Sequence, residues 1–398
     1  MARPLNIALI GTKFMGRAHS NAWLKVNRFF AETPREAHMH TVCGRDANET
    51  PKFAEQWGWA QSSTDWKSVV RDDEIDLVDI GTPNDLHAEQ AIAALEAGKH
   101  VACEKPLAGS IDDARQMLAA AKKAKKSRTF VWYNYRRCPA VALAHQLVKA
   151  GRLGRLYHVR AAYLQEWGGP DTPLLWRFRG KVAGSGAHGD LNAHIIDMAR
   201  FITGDEVSEV VGAIEETFIK QRFIPDEGGA EIKGSSAKRR GKRRMGRSTV
   251  DDAVLFLARF KKGAVASFEA TRLATGNKNR NEIEINGEKG AIRFNFERMN
   301  ELEFYDATTD AKTRGWTTIM CTDGAEHPYC HAWWPDAHII GYEHGFINQA
   351  ADILRTLSGR KPEVPLPDFA DAFKTQLVLE AAIISARERR PVKIKELA

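Results

Sequence analysis

The sequence predicts an α/β fold: an N-terminal Rossmann-type, doubly wound parallel sheet, followed by an α+β region built on a large, mainly antiparallel open sheet. Three observations carry this expectation. Up to about residue 131, short apolar runs alternate with helical stretches; beyond residue 134, strands of period-two alternation follow one another with few helices between. A chain of 398 residues also exceeds what one hydrophobic core usually organises, so two domains are expected, over 1–133 and 134–398.

In the first region IALIG precedes a helix from Arg17, HTVCG a helix over 49–57, DLVDIG a helix over 86–97, and HVACE a helix over 111–125, before TFVW. Parallel strands are covered on both faces, which explains why IALI and DLVDI are almost continuously apolar. In the second region a helix over 140–150 leads through GRLG into YHVRAAYLQ, and a Gly-rich turn and helix occupy 184–201. VSEVVGAIEETF, VDDAVLFLARF, AVASFEATRL, NEIEING, AIRFNF and ELEFYD then read as strands, with KKG and NGEKG as turns. They form a sheet with one face covered and the other available for contact. Helices over 339–357 and 368–387 close the chain.

With 43% apolar and 27% charged residues, an ordinary globular protein is expected rather than a disordered one. No apolar run is long enough to cross a bilayer and no signal-peptide pattern opens the chain, so a cytoplasmic protein without a membrane partner is expected. Five cysteines without a C-x-x-C pair suit reduced thiols, with Cys43 and Cys103 as small core residues. The net charge of +7 is local: the run KGSSAKRRGKRRMGR at 233–247 holds eight Lys or Arg and no acid, and removing that +8 leaves −1. It reads as a solvated, mobile loop, and no folded nucleic-acid reader accompanies it.

Gly11 follows the first strand and Gly16 lies where a helix begins, the context in which glycines serve a dinucleotide. Gly11 supplies the tight turn, Gly16 close packing, and the helix N-terminus backbone N–H groups for a diphosphate. Lys13 stands where a middle glycine is usual, its ammonium expected alongside the diphosphate, with Phe14 and Met15 beside the cofactor. The second strand ends at Gly44-Arg45-Asp46. An acid there selects the ribose diol of NAD and an arginine accommodates the phosphate of NADP; both are present, and the choice stays open. GTPNDLH and CEKPLAG end the next strands, placing Thr82, Pro83, Asn84, His87, Glu104 and Lys105 along the same crevice.

The segment LQEWGGPDTPLLWRFRG mixes amide, charged and aromatic groups suited to a carbohydrate, which presents hydroxyls and C–H faces together. Gln165 and Trp176 are candidate substrate contacts and Trp176 and Arg177 candidate cofactor contacts; Trp167 equally reads as a core tryptophan. HPYCHAWWPDAHIIGYEHG brings His338 as a further substrate candidate. Its histidines His327, His331, His338 and His344 do not fit a compact zinc pattern.

Four segments together resemble the glucose-fructose oxidoreductase, inositol dehydrogenase and rhizopine catabolism (Gfo/Idh/MocA) superfamily: TPNDLH at 82–87, AGKHVACEKPL at 97–107, YNYRRCPA at 133–140 and GSGAHGDLNAHIIDMARFITG at 184–204. The details look most like its levoglucosan dehydrogenase-like branch. The resemblance implies a catalytic group of Lys105, Asp190 and His194, a substrate contact at Tyr135, NAD as the favoured acceptor, and a homodimer or homotetramer through the C-terminal sheet. It implies an NAD(P)-dependent enzyme moving a hydride between a ring secondary hydroxyl of a sugar, anhydrosugar, glycoside or cyclitol and the nicotinamide. A keto-sugar-forming enzyme that recycles tightly bound NAD, and a non-catalytic cofactor sensor, remain the alternatives. The basic run and Lys13 depart from the family pattern.

Spacing agrees with these roles. Asp190 and His194 are four apart and share a helix face, which Asp197 continues one turn later. A histidine neutral near pH 7 suits removal of a hydroxyl proton, Lys105 would stabilise charge on the substrate oxygen and favour neutral His194, and Asp190 would bind a neighbouring hydroxyl and orient the imidazole. Metal ligation by Asp190, His194 and Asp197 is the competing reading; hydride transfer assisted by lysine and histidine needs no metal, and none is expected.

Overall fold

The β-rich runs of the first region become six strands because their apolar residues can be buried on both faces only inside a parallel sheet covered by helices. In this computed structural model, residues 3–225 and 244–398 are described. The chain divides into two units, Met1–Arg137 with Asp323–Phe373, and Cys138–Thr322 with Lys374–Ala398. This differs from the contiguous division at 133/134 read from the sequence: the 323–373 segment packs with the Rossmann sheet.

The first unit runs β1 (Leu5–Ile10), α1 (Phe14–Phe29), β2 (Ala37–Cys43), α2 (Glu49–Trp57), β3 (Gln61–Ser63), α3 (Trp66–Arg71), β4 (Leu77–Ile80), α4 (His87–Glu96), β5 (His100–Cys103), α5 (Ile111–Lys123) and β6 (Thr129–Val131). The sheet order is β3-β2-β1-β4-β5-β6, all parallel. Ile10 pairs with Cys43 on one side and Ile80 on the other, and Ile80 with Cys103. Residues 11, 44, 81 and 104 therefore leave the sheet along one edge, the carboxyl edge where such sheets hold ligands. Missed by the sequence pattern were β3 and α3, too short to show a period; α1 begins at Phe14, a turn before the expected Arg17.

The second unit contributes α6 (Pro139–Lys149), β7 (Leu156–Leu164), α7 (Gly180–Ala183), α8 (Ala193–Thr203), β8 (Val207–Glu216), β9 (Gln221–Phe223), β10 (Met245–Arg247), β11 (Ala253–Phe260), β12 (Val265–Thr271), β13 (Arg280–Gly287), β14 (Gly290–Asn295), β15 (Glu301–Asp306) and β16 (Trp316–Met320). After α9 (Tyr342–Leu357), which lies in the first unit, α10 (Phe369–Glu388) and β17 (Val392–Lys393) complete the chain. Nine strands form an open sheet in the order β16-β15-β14-β13-β7-β12-β11-β8-β17, antiparallel except for the parallel pair β12 and β7. Along β11 Val254, Phe256 and Ala258 are buried while Leu255 and Leu257 face outward, so one sheet face carries the core and the other is open.

Two expectations need revision here. The basic run is not one mobile loop at its end: Met245, Gly246 and Arg247 pair with Phe223, Arg222 and Gln221, and Gly246 lies against Leu174, where a Cβ would come within 2.6 Å. Residues 233–243 of that run lie outside the described residues. The last helices begin at Tyr342 and Phe369, leaving Ile339 and Ile340 in an extended approach. All five cysteines are buried and free. Among the described residues no helix is long and apolar enough to cross a membrane.

Candidate active site

In the first unit the site is built around backbone that cannot carry side chains. Gly11 adopts φ +122°, and a Cβ on it would lie 2.7 Å from the Gly81 carbonyl oxygen. A Cβ on Gly16 would lie 2.2 Å from the Gly11 oxygen, so turn and helix are pressed together as the sequence indicates. Lys13, at the N-cap of α1, makes no side-chain cap, leaving the first-turn N–H groups of α1 for an anion. This cradle fits the diphosphate of a dinucleotide. Phe14 is exposed and stacks on Tyr342, with ring centroids 6.4 Å apart. Met15 lies over Gly81 and lines the same turn.

The turns after β4 and β5 are tied together by His87. Its Nε2 lies 3.0 Å from the Thr82 carbonyl oxygen and Nδ1 3.1 Å from that of Pro106. Thr82 also donates its hydroxyl to Gln90, at 2.8 Å. Burial lowers the His87 pKa, the nearby carbonyls and the Glu104 charge only partly opposing it. With both ring nitrogens on carbonyls and no exposed face, His87 braces the turns rather than touching a ligand, correcting its place among the expected cofactor contacts. Pro83 and Asn84 stay half-buried at the turn surface.

Glu104 is corrected in the same way. Its Oε1 lies 3.1 Å from His19 Nε2, and its Oε2 accepts the Lys105 backbone N–H at 3.1 Å. On the other side of His19, Nδ1 lies 3.1 Å from both oxygens of Asp79, which also accept from Trp23 Nε1 (2.7 Å) and Trp132 Nε1 (2.8 Å). Burial works against a charge on His19, but the Asp79 and Glu104 carboxylates outweigh it and raise its pKa from 6.5 to about 9. An imidazolium thus sits sandwiched between two acids beneath the turn that presents Lys105. Sequence reasoning missed His19 and Asp79. The available signal was an acid inside the apolar strand LVDI, since a buried carboxylate demands donors.

Lys105 itself is half-buried directly beyond β5. Tyr135 is buried in the 3₁₀ turn Asn134–Arg137. His338 is exposed within the 323–341 segment, with Nδ1 2.8 Å from the Pro335 carbonyl oxygen. Both belong to the first unit with Lys105.

In the second unit, a π-helical turn, His188–Asn192, feeds directly into α8 and carries Asp190, with His194 on the first turn of α8. The regular helix expected over 184–201 is thus replaced at its start by a wider turn. Asp251 fixes that start, accepting the Gly186 N–H at 2.6 Å and the His188 N–H at 2.8 Å. Asp197, the third member of the metal reading, is buried in α8, and among the described residues no group of three or more His, Cys, Asp or Glu has a placement able to hold a metal ion.

Around Asp190 and His194 a closed chain of contacts forms. The Tyr163 ring lies 5.9 Å from the His194 ring, and Tyr163 donates to Asn279 Oδ1 at 2.8 Å. Gln165 donates to the same oxygen at 2.7 Å and accepts from Trp167 Nε1 at 2.6 Å. Arg272 lies 5.0 Å above the Trp167 ring and donates to Asp190 Oδ2 at 2.8 Å. Gln165 thereby joins the chain of contacts that runs from His194 through Tyr163 and Asn279 to Trp167, Arg272 and Asp190. Trp176 and Arg177 form a separate 3₁₀ turn in which the guanidinium lies 4.5 Å from the indole centroid. Trp167 belongs to the polar wall while also packing on a small core of Leu174, Leu175, Phe178 and Val250. Arg272, Asn279 and Tyr163 were not singled out from the sequence; a buried arginine declares itself only through partners far away in the chain.

Comparison with known proteins bears on both units. Residues 5–133 match the oxidoreductase family with an NAD-binding Rossmann fold, and residues 141–293 match the GFO/IDH/MocA C-terminal domain. The chain is 40% identical over 396 residues to levoglucosan dehydrogenase of Pseudarthrobacter phenanthrenivorans, covering 99% of each protein. An oxidoreductase domain protein from Kribbella flavida has a similar structure, with TM-score 0.90 and 47% identity over 98% of this chain and 99% of that one. A levoglucosan dehydrogenase solved with NADH and levoglucosan has TM-score 0.89 and 39% identity, over 98% of this chain and 99% of that one. Matched along nearly its whole length and in both units, the chain belongs to the GFO/IDH/MocA family of NAD-binding oxidoreductases.

Proposed function

We propose that this protein oxidises one ring secondary hydroxyl of a sugar, anhydrosugar, glycoside or cyclitol, with levoglucosan-like substrates foremost. The observation that carries the reading is the closed wall around Asp190 and His194. Tyr163, Asn279, Gln165, Trp167 and Arg272 put amide, hydroxyl, charged and aromatic groups together, as a polyol with C–H faces requires. The 40% identity to a levoglucosan dehydrogenase supports the same substrate class.

Bound NAD supplies the hydride acceptor; Gly11, Lys13 and Gly16 hold its diphosphate. The remaining work falls to side chains. His194 takes the hydroxyl proton as the carbon loses hydride, leaving a carbonyl. Lys105 stabilises negative charge on the oxygen while that proton leaves. Asp190, fixed by Arg272, accepts a hydrogen bond from the neighbouring hydroxyl and selects which carbon is presented. Five buried thiols support a reducing, cytoplasmic setting for this chemistry.

The purified protein should form NADH when given NAD and one member of a panel of levoglucosan, myo-inositol, glucose and methyl glucosides. Net reduction of neither nicotinamide by any of them would overturn the reading. Homo-oligomerisation through the open sheet face completes the proposal. Ile214 and Leu257 are 64% and 57% exposed there, and Leu255 pairs directly with Ile214 across the sheet. Such an apolar patch favours a partner. Leu257→Glu should lower the mass seen by light scattering, and a wild-type protein that is already monomeric would refute this part.

A further inference from the structure

We infer that His19 is a positioning residue for Lys105: through the Glu104 carboxylate it fixes the backbone from which the lysine is presented. The inference rests on the proposed role of Lys105 in sugar oxidation and adds to it the group that sets the place of that lysine.

An ionised carboxylate only accepts hydrogen bonds. Both nitrogens of His19 face carboxylates, Nδ1 at 3.1 Å from the two oxygens of Asp79 and Nε2 at 3.1 Å from Glu104 Oε1. Both therefore carry hydrogen, and the ring is an imidazolium that donates from both its nitrogens. Burial opposes that charge, the two acids outweigh it, and the pKa stands at about 9. Asp79 is anchored on β4 and wholly buried, where it also accepts the indole N–H groups of Trp23 and Trp132 at 2.7 and 2.8 Å. The imidazole packs on Trp132 and Phe346, with ring centroids 4.3 and 5.7 Å away. One end of the series is thus fixed.

At the other end, Glu104 divides its oxygens. Oε1 takes the imidazolium, and Oε2 accepts the Lys105 backbone N–H at 3.1 Å. The Glu104 N–H donates to the Ile80 carbonyl at 2.9 Å, and the Pro106 carbonyl oxygen lies 3.1 Å from His87 Nδ1. Each residue of the turn 104–106 is therefore tied to the sheet or its flanking turns, and the tie at Lys105 runs through the carboxylate that His19 holds. Without the cation, Glu104 and the buried Asp79 would repel one another, and Glu104 would turn toward water and release the lysine N–H.

The helix that carries His19 is also the one that opens the glycine turn. His19 lies about one turn beyond Gly16 on α1, whose first-turn N–H groups are left for an anion. One rigid element thus sets the height of the dinucleotide and, through His19 and Glu104, the place of Lys105. Buried ions stabilise a core no better than apolar residues of similar volume. What they add here is direction, because each hydrogen bond in the series from Asp79 to the Lys105 N–H fixes the next group at a set distance and angle.

Two measurements on Glu104→Gln and His19→Gln test this: hydrogen exchange of the Lys105 amide, read by NMR without sugar, and steady-state kinetics. Glu104→Gln is nearly isosteric and keeps the imidazole, so it decides the matter even where the His19 variant unfolds. The Lys105 amide should exchange about tenfold faster in each variant, while the β1 amides of Glu104→Gln stay protected. kcat should fall by about tenfold to 10²-fold, with KM for the sugar and the dissociation constant for NAD within about twofold of wild type. Placed on Lys105→Ala, Glu104→Gln should change the residual kcat by less than about twofold, because a residue that acts through the lysine then has nothing to position. Unchanged exchange at Lys105, a kcat within about twofold of wild type, or a full further loss on the Lys105→Ala background would overturn the inference. Wild-type kcat in Lys105→Ala itself would strike the reading beneath it and the positioning role together, and is told apart by the exchange result, which needs no substrate.

Discussion

Lys105→Ala should lower kcat by about 10²- to 10³-fold while the dissociation constant for NAD stays within about twofold, since removing one group that stabilises a developing oxyanion costs that much in rate. The placement of the residue explains the asymmetry. Lys105 follows β5 at the ligand edge, and its backbone N–H donates to the Glu104 carboxylate at 3.1 Å. The glycine turn is held by its close approach to Gly81, through backbone that precedes the lysine by more than twenty residues. On the proposed mechanism, truncation removes a charge that acts on the substrate oxygen and leaves the backbone of the glycine turn unchanged. Steady-state kinetics on the best substrate of the panel, paired with NAD titration, separates the two quantities. A kcat within a factor of about three of wild type would take Lys105 out of the chemistry; weakened NAD with unchanged kcat would make it a cofactor ligand instead.

His19→Ala should destabilise the protein by about 3–5 kcal/mol, the usual consequence of removing one partner from a buried charge network. Asp79 is wholly buried and Glu104 nearly so, and His19 is the cation between them. Its loss leaves two carboxylates facing a cavity, with only the indoles of Trp23 and Trp132 still donating to Asp79. A pH signature distinguishes this from simple loss of packing against Trp132, whose ring lies 4.3 Å from the imidazole. The folded-state pKa of about 9 is raised above the ordinary 6.5. The stabilisation is therefore fully present below about pH 6.5 and is lost as pH rises through about 9. Urea midpoints measured from pH 6 to 10 should fall across that window in the wild type, with this component absent from His19→Asn. Parallel pH profiles for the two proteins would show that the imidazole is not charged in the fold.

The strands and helices of the first unit were readable because their signals are local. An apolar run ending in Gly11, with Gly16 opening a helix, is a statement about adjacent residues, and the structure supplies the steric reason in the 2.2 Å approach of a Gly16 Cβ to Gly11. The same holds for Lys105 beyond β5 and for Asp190 and His194, one helical turn apart. Where the readings failed, the residue's chemistry was right but its direction was not visible. Glu104 and His87 both lie along the expected edge, yet each turns its polar atoms inward or onto backbone. Periodicity reports which side of an element a residue occupies; it cannot report whether a carboxylate has already found its donors.

Local pattern thus determined the α/β class and the glycine turn, and resemblance to a known family, with which the spacing agreed, picked out the candidate lysine, aspartate and histidine. Tertiary structure alone decided the partners: His19 meets Glu104 across 85 residues, Arg272 meets Asp190 across 82, and Gln165 meets Asn279 across 114. It also decided that 323–373 belongs with the Rossmann sheet. The physical reason is that buried charges and amides must be satisfied by whatever the folded chain brings near, and contacts between distant segments leave no period in the order of residues.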